Sequence, residues 1–304
     1  MRRSAAMLVT SLIFPAVPSL RAQDPLDTVQ VRTVSVAPGI YMLMAAGGNI
    51  GVSAGPDGVF LVDDQYAPLT ERILRAIRSF SDRPIRFVIN THWHQDHTGG
   101  NENMGKAGAL IVAHDNVRKR MSVEQFMEAF NRTVPPAPPG ALPVVTFNQT
   151  VTFYMNGDEI HAFHVTRAHT DGDAIIHFRR ADVIHMGDTF FNGRYPFIDI
   201  GSGGSVDGVI AAADQVLAIA GEQTKIIPGH GPLATRNELR EYRDMLAGVR
   251  DRVASLISQG RTLEQVLAAG VTAPWDGRFT GDSQRFVRYL YQELAQRGAP
   301  TRGR

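Results

Sequence analysis

Short runs rich in apolar and β-branched residues lie between positions 29 and 63, and they predict β-strands. The turn sequence Pro56-Asp57-Gly58 separates the last two of these runs. Over 69–80 the apolar positions recur three and four residues apart, which predicts an amphipathic helix. Apolar runs at 85–89 and 110–113 predict two further strands, so the first half of the chain mixes strands with helices.

The second half of the chain repeats this alternation after a proline-rich break. Residues 134–143 contain five prolines, which cannot continue a helix or a sheet, so we expect a linker or an inserted loop there. Strand patterns return over 150–186, a helix is expected at 209–220 and a short buried strand at 225–228. The remainder is mostly helical. This order predicts two sheets packed on each other with helices outside.

Composition limits the chemistry that is open to the chain. The 304 residues include ten His and no Cys, which excludes disulfide scaffolds, thiolate zinc sites, iron–sulfur clusters and Cys nucleophiles. The 31 Lys and Arg nearly balance the 30 Asp and Glu, so the charge gives no reason to expect nucleic-acid binding. We therefore expect a small-molecule substrate and chemistry based on His, carboxylates or hydroxyls.

Residues 1–22 have the pattern of a secretory signal peptide. Arg2 and Arg3 precede an apolar stretch, and a small residue, Ala22, ends a plausible cleavage site. Pro15 and Pro18 interrupt the stretch, which is also shorter than the roughly 20 apolar residues of a spanning helix. We predict export to the periplasm or outside the cell, with no stable membrane insertion after cleavage.

The strongest chemical signal is the heptapeptide THWHQDH at 91–97, directly after a predicted strand. Residues two apart in an extended turn face the same way, so His92 and His94 can reach one ion while Asp96 and His97 reach another. Four such polar groups after an apolar strand would be costly unless a metal or hydrogen bonds satisfied them.

Three later segments carry complementary ligand types, each just past a predicted strand. They are RAHTDGD with His169, HMGDT with Asp188, and PGHG with His230. One His after a strand is a weak signal, but all three follow the first motif and have glycine neighbours that let the backbone approach a metal. His185, three residues before Asp188, is expected to support a ligand rather than to be one.

The segments THWHQDH, RAHTDGD, MGDTFF and PGHG resemble the motif set of the metallo-β-lactamase superfamily, and the resemblance spans nearly all of 23–304. It implies an α/β (α+β) fold, a four-layer αββα sandwich, with a binuclear metal site at one edge of the two sheets. Residues 23–304 would form one such domain, with an insertion near 134–143 and a helical C-terminal extension. The resemblance also implies one zinc on His92, His94 and His169, a second on Asp96, His97 and His230, and Asp188 bridging both.

Imidazole and carboxylate ligands without thiolate suit two zinc ions, and they also suit iron or manganese. Two divalent ions about 3.5–4 Å apart lower the pKa of a shared water towards 7 and so supply a hydroxide nucleophile. Asp96 is expected to orient this hydroxide and handle its proton. The sequence therefore predicts a metal-dependent hydrolase that opens a β-lactam, lactone or ester carbonyl.

The residues near the predicted bridge bear on the substrate. The main β-lactamases of the resembling superfamily have Cys at the bridging position and Lys three residues later, where this chain has Asp188 and Phe191. This difference argues against efficient β-lactam turnover and leaves a glyoxalase II-like thioesterase or a lactonase as the alternative. Phe191, Asn192 and Tyr195 in the following loop are candidate substrate contacts, with core packing as the competing interpretation for the aromatic rings.

Two other function classes remain open from the sequence. Relatives in the resembling superfamily use iron for oxygen chemistry, so an iron-dependent oxygenase of the same fold is possible. A zinc-binding protein without catalytic activity is the other. The sequence predicts no oligomeric state.

Overall fold

The computed structural model describes residues 25–298, and the signal peptide predicted at 1–22 lies outside this range. Within the described residues the backbone forms fourteen strands and eight α-helices. The strands, in chain order, are β1 (Arg32–Ala37), β2 (Ile40–Met44), β3 (Ile50–Gly55), β4 (Gly58–Val62), β5 (Ile85–Asn90), β6 (Leu110–His114), β7 (Gln125–Met127), β8 (Arg132–Val134), β9 (Val145–Phe147), β10 (Thr150–Met155), β11 (Asp158–His164), β12 (Ala174–Phe178), β13 (Val183–His185) and β14 (Lys225–Ile227). The helices are α1 (Thr70–Arg78), α2 (Gln95–Thr98), α3 (Asn101–Lys106), α4 (Asp115–Met121), α5 (Val206–Ile219), α6 (Arg236–Ser258), α7 (Leu263–Ala268) and α8 (Ser283–Gly298).

Two mixed sheets and one separate hairpin account for these strands. The first sheet has the order β1-β2-β3-β4-β5-β6-β9 and is antiparallel from β1 to β4 and parallel from β4 onwards. The second has the order β10-β11-β12-β13-β14, with only the last pair parallel. Strands β7 and β8 form a two-stranded hairpin outside both sheets.

The two sheets bury a common apolar layer and are covered by helices on their outer faces. Phe60 of β4 and Phe178 of β12 are fully buried between the sheets, with ring centroids 6.4 Å apart in an edge-to-face arrangement. Ile73 and Ile77 of α1 pack on the outer face of the first sheet. Helices α5, α6 and α8 cover the outer face of the second sheet in a separate cluster. This arrangement confirms the predicted αββα sandwich.

The predicted elements are found with shifted ends, and several short elements were not predicted, namely α2, α3, β9 and the hairpin β7–β8. The helix expected at 209–220 begins earlier, at Val206, whose backbone N–H donates to the Glu293 carboxylate (3.0 Å). The proline-rich segment is a loop that contains one 3₁₀ turn, Pro139–Ala141. The hairpin β7–β8 directly before it had no periodic signal in its three-residue strands. No α-helix among residues 25–298 has the length and apolar character needed to cross a bilayer.

The loops that follow several strands lie together at one edge of the sandwich because of the order and direction of those strands. Strands β4 and β5 are parallel neighbours, as are β13 and β14, so their carboxyl ends lie together within each sheet. The loops that follow these four strands begin at residues 63, 91, 186 and 228. The turn between β11 and β12 lies at the same edge because β12 runs antiparallel to β13.

Candidate metal centre

All seven predicted ligands lie at this edge, in two groups. Within each group, one ligand atom from every residue lies within 4.8 Å of the corresponding atoms of the others. The first group is fully buried, and the second is partly open to solvent. The first contains His92, His94, His169 and Asp188, and the second contains Asp96, His97 and His230.

Three imidazole nitrogens converge in the first group. Nδ1 of His94 lies 3.1 Å from Nε2 of His92 and 2.9 Å from Nε2 of His169. The rings of His92 and His94 are almost perpendicular, with an interplanar angle of 88°. Three ring nitrogens that meet at one point, on rings tilted against one another, are the arrangement of a three-histidine metal face.

Asp188 lies between the two groups. Its Oδ1 lies 3.1 Å from Nε2 of His97 and 3.4 Å from Nε2 of His230, both in the second group. Its Oδ2 lies on the side of the first group, 3.6 Å from Nε2 of His169 and 3.9 Å from Nε2 of His92. One oxygen therefore faces each group, as a bridging carboxylate requires.

Asp96 completes the second group at its solvent side. Its Oδ2 lies 3.2 Å from Nε2 of His230 and 3.5 Å from Nε2 of His97, and 24% of its side chain is exposed. Although burial opposes ionisation, the neighbouring His97 and His230 lower the pKa of Asp96 to about 2. The carboxylate is therefore ionised and reaches the opening of the site.

The histidines of the first group are oriented through their other ring nitrogens. Nε2 of His94 lies 3.0 Å from Oδ2 of Asp199, and Nδ1 of His169 lies 2.8 Å from the carbonyl oxygen of Phe197. Such partners fix the tautomer and leave the opposite nitrogen as a free electron-pair donor. The sequence reasoning missed Asp199, because a lone Asp in the loop before α5 carries no motif.

Asp63 has the same role in the second group. Its Oδ2 lies 2.7 Å from Nδ1 of His97 and accepts the hydroxyl of Thr91 at 2.8 Å, while its Oδ1 accepts the backbone N–H of Thr91 at 2.7 Å. Asp63 is fully buried and directly follows β4. Its position at the end of an apolar strand, VFLVDD, was the available signal in the sequence.

His185 stabilises the turn that carries the bridging carboxylate. Its Nε2–H donates to the carbonyl oxygen of Asn49 (3.1 Å), and its Nδ1 accepts the N–H of Gly187 (3.2 Å). Burial lowers the pKa of His185 to about 4, so the ring is neutral at pH 7. It holds the backbone one residue before Asp188.

The donor set fits a pair of divalent metal ions. Oδ1 of Asp188 is buried without a hydrogen bond, although two imidazole nitrogens lie close to it. Burial would favour the protonated acid, but His230 and His97 hold the pKa of Asp188 well below its usual range. Burial lowers the pKa of His169 to about 4, which keeps that ring neutral, the form that binds metal.

A cavity of about 370 Å³ opens onto this centre. Its polar floor includes Asp96, Asp188 and His230. Its walls are largely aromatic and are formed by Tyr66, Trp93, Phe130, Phe191 and Phe197. The volume is in the range of small-molecule sites, and the few polar groups converge on the floor.

The loop after Asp188 contributes to this cavity through one of its three predicted contacts. The ring of Phe191 lies in the wall and stacks on His230, with centroids 5.3 Å apart. Asn192 instead donates from Nδ2 to the carbonyl oxygen of Pro232 (3.0 Å). The hydroxyl of Tyr195 donates to Asp276 (2.7 Å), and its ring is buried in the helical layer. The structure therefore places Asn192 and Tyr195 outside the cavity, where local contacts already satisfy their polar groups.

A model of the metallo-β-lactamase superfamily matches residues 45–230 of the chain. Among curated proteins, the α subunit of 2,4-dinitroanisole O-demethylase from Nocardioides sp. is 26% identical over 171 residues, 55% of this chain and 46% of that protein. A hydroxyacylglutathione hydrolase from Polaromonas sp. is 29% identical over 150 residues, 48% of each protein. The matched region thus spans about half the length of these relatives.

Solved structures share the fold at low identity. A stereoselective inverting sec-alkylsulfatase from Pseudomonas sp. matches 86% of this chain and 50% of its own, with a TM-score of 0.65 and 19% identity. A metallo-β-lactamase from Pontibacter korlensis matches 72% of this chain and 99% of its own, with a TM-score of 0.59 and 17% identity. These likenesses bear on the fold alone.

Proposed function

The chain belongs to the metallo-β-lactamase superfamily, and we propose that it is a binuclear zinc-dependent hydrolase of an acyl bond in a small molecule. The observation that carries this proposal is the position of Asp188, with one oxygen facing each of two groups of ligand atoms. A carboxylate in that position would be a ligand to both of two divalent ions, which would supply the chemistry of a two-metal hydrolase.

His92, His94 and His169 would hold one ion, and Asp96, His97 and His230 the other. When bound, the two ions supply Lewis acidity, which polarises a carbonyl and lowers the pKa of a shared water. The partly exposed carboxylate of Asp96 would accept a hydrogen bond from a water at the floor of the cavity and orient it towards the substrate. The aromatic walls exclude bulk water and hold the acyl group over the floor of the site.

We propose a carboxylic ester or a lactone as the first substrate class, a thioester as the second and a β-lactam as the third. Relatives named hydroxyacylglutathione hydrolase, whose substrates are thioesters, support hydrolysis of an acyl bond. The pair Asp188 and Phe191, in place of Cys and Lys, is a reason to rank β-lactams last. An exported protein would not meet glutathione thioesters, which are cytosolic. We therefore rank esters and lactones above thioesters.

The export proposal itself rests on residues 1–22, and it places the remaining chain in the periplasm or outside the cell. Mass spectrometry of the protein purified separately from the periplasmic, extracellular and cytoplasmic fractions tests it. A mature chain that starts near Gln23 is the expected result, and a full-length chain in the cytoplasm would contradict it.

The function is tested by metal analysis together with a substrate panel. We expect about two zinc ions per chain and hydrolysis that a chelator abolishes and zinc restores. The panel contains a 4-nitrophenyl ester, a γ-lactone, an acyl thioester and nitrocefin. Asp96→Ala should lower turnover at least 100-fold, whereas Asp214→Ala, on an exposed part of α5, should not.

Other outcomes separate the competing functions. One iron per chain with oxygen uptake would identify an oxygenase instead. Bound zinc with no hydrolysis of any panel member would indicate a non-catalytic metal-binding protein. An Asp96→Ala variant that retained most of the activity would contradict the mechanism.

A further inference from the structure

The hairpin β7–β8 carries the one Lys or Arg found among the described residues that line the metal-site cavity. That residue is Arg132, the first residue of β8. Side chains two apart on a strand face the same side, and Val134, two residues later, also lines the cavity. Arg132 therefore lies on the cavity side of the strand, at the solvent-exposed rim of the site.

A hydrogen bond holds the guanidinium of Arg132 beside the metal centre. Its Nη2 donates to Oε1 of Gln95 at 2.6 Å, and Gln95 directly precedes Asp96. Tyr66 lies close to both charges. Burial raises the pKa of Tyr66, the Asp96 carboxylate raises it further, and Arg132 opposes the increase. Arg132 is thus a positive charge at the rim of the cavity, hydrogen-bonded to the residue next to Asp96.

Within the part of the chain that the structure describes, no carboxylate forms an ion pair with this charge. Several other arginines of residues 25–298 each have a side-chain nitrogen within 4.0 Å of a carboxylate oxygen. No ion pair at this distance among these residues involves Arg132. The bond to Gln95 is also the one side-chain hydrogen bond that Arg132 makes within that part of the chain. A guanidinium has five N–H donors, so most of its capacity is available to a ligand.

The residues around Arg132 indicate the shape and polarity of the rest of such a ligand. Phe130, in the turn of the hairpin, packs edge-to-face on Phe197 with centroids 5.0 Å apart. Phe191 and Trp93 complete an apolar wall above the metal ligands. A molecule that fits has an apolar body between these rings and one anionic group that reaches the hairpin.

We propose that Arg132 binds a carboxylate of the substrate, so that the enzyme selects acyl compounds carrying a carboxylate over neutral compounds of the same shape. This inference rests on the proposed hydrolase function. A carboxylate matches the planar fork of a guanidinium, which can donate two parallel hydrogen bonds to it. It would also anchor the substrate at a fixed distance from the metal ligands, because Gln95 positions the guanidinium next to Asp96.

The test compares two esters that differ in one group. They are 4-nitrophenyl hydrogen glutarate, which carries a carboxylate, and 4-nitrophenyl glutaramate, which carries an amide of nearly the same size. The wild-type protein should prefer the carboxylate in kcat/KM. Arg132→Gln should lower the carboxylate-to-amide ratio by about 10- to 100-fold, mainly through KM, because a charge-assisted hydrogen bond is lost. Arg132→Lys should retain part of the preference, since it keeps the charge and loses the fork.

Arg240→Gln is the matched control, because Arg240 lies on the exposed side of α6 and contacts Asn237 (3.1 Å). It removes the same charge far from the cavity and should leave the ratio unchanged. An unchanged ratio in Arg132→Gln would overturn the inference while leaving the hydrolase proposal intact. An equal fall in Arg240→Gln would also overturn it, since the effect would then come from net charge.

A binding measurement keeps the inference testable if neither ester is hydrolysed. The chain has two tryptophans, and Trp93 lines the cavity whereas Trp275 packs against Arg252 and Gly248. In the zinc-loaded Trp275→Phe protein, the fluorescence of Trp93 reports ligand binding. The dissociation constant of glutarate should be at least 10-fold lower than that of glutaramide. Adding Arg132→Gln should remove that difference, and a difference that persists would contradict the role of Arg132. If glutarate bound as expected but no ester were hydrolysed, the proposed function would be contradicted and the role of Arg132 in binding would stand.

Discussion

Oδ2 of Asp199 lies 3.0 Å from Nε2 of His94, although 105 positions separate the two residues. This contact fixes the ring of His94 so that its Nδ1 faces Nε2 of His92 and of His169. The pKa of Asp199 is lowered to about 2, because the bond to His94 outweighs the effect of burial. The carboxylate is therefore ionised and acts as the acceptor that sets the tautomer of the ligand.

Replacing Asp199 should weaken the first metal position selectively. Asp199→Ala removes the acceptor for Nε2 of His94, and loss of such a partner lowers metal affinity by roughly 10- to 100-fold. Asp199→Asn should have a smaller effect, since its amide oxygen can still accept. Zinc competition with a chromogenic chelator measures both variants, with Asp214→Ala as the surface control. Wild-type affinity for both ions in Asp199→Ala would show that this contact does not orient His94.

The sequence motifs predicted the seven residues that the fold brings together, whereas Asp199, which orients His94, carried no motif. His92 and His94 precede the helical turn α2, which carries Asp96 and His97, so the local backbone directs the two pairs towards different groups. Asp199 reaches His94 through the packing of the loop before α5, a long-range contact without a local pattern.

The substrate side of the centre was harder to predict for a similar reason. The loop after Asp188 is rich in aromatic and polar residues, which fits both a substrate wall and core packing. Tertiary contacts decide between these two, and they bury Tyr195 against Phe286 in the helical layer. Arg132 gave no signal in the sequence, because the strands of its hairpin are three residues long.

Asp63 is expected to matter for stability as well as for the second metal position. Asp63→Asn places an amide N–H₂ where the carboxylate accepts from Thr91 and His97, so at least one buried donor loses its partner. We expect the free energy of unfolding to fall by about 3 kcal/mol, with loss of one bound zinc. Urea unfolding and metal analysis check this. Two zincs at wild-type stability would mean that the network tolerates the amide.

The neutral ring of His185 should make the fold sensitive to acid. Its folded pKa is about 4 against an ordinary value of 6.5, because burial disfavours the charged ring. The unfolded chain then binds the proton more readily, so the contribution to stability is complete above pH 6.5 and is lost as pH falls towards 4. The loss amounts to about 1.4 kcal/mol per pH unit within that window.

His185→Gln tests this window, because it keeps the donor to Asn49 and removes the titrating group. Urea unfolding of chelator-treated protein at pH 7.5 and pH 5 gives the acid-induced loss of stability for each protein. We expect a smaller loss in the variant, by roughly 2 kcal/mol. The other buried histidines contribute equally to both proteins, so the difference isolates His185. Equal losses in the two proteins would contradict the assignment.

The close approach of Gly48 to His97 gives a steric test of the second metal position. A Cβ at residue 48 would lie 2.1 Å from Cε1, 2.4 Å from Nε2 and 2.6 Å from Nδ1 of that ring. The ring cannot retreat easily, because His92 lies on it at a centroid distance of 4.2 Å and Asp63 holds its Nδ1. Gly48→Ala should therefore displace His97 and remove one zinc, while the three-histidine group keeps the other.

Gly221→Ala is the control for Gly48→Ala, since its added Cβ meets its nearest neighbour, Oγ1 of Thr224, at an ordinary 3.7 Å. It should bind two zincs and keep its turnover. In Gly48→Ala we expect one zinc and a fall in turnover of at least 100-fold, because the remaining ion lacks the partner that two-metal hydrolysis requires. If Gly48→Ala bound two zincs with normal turnover, His97 would not be a ligand at the position described.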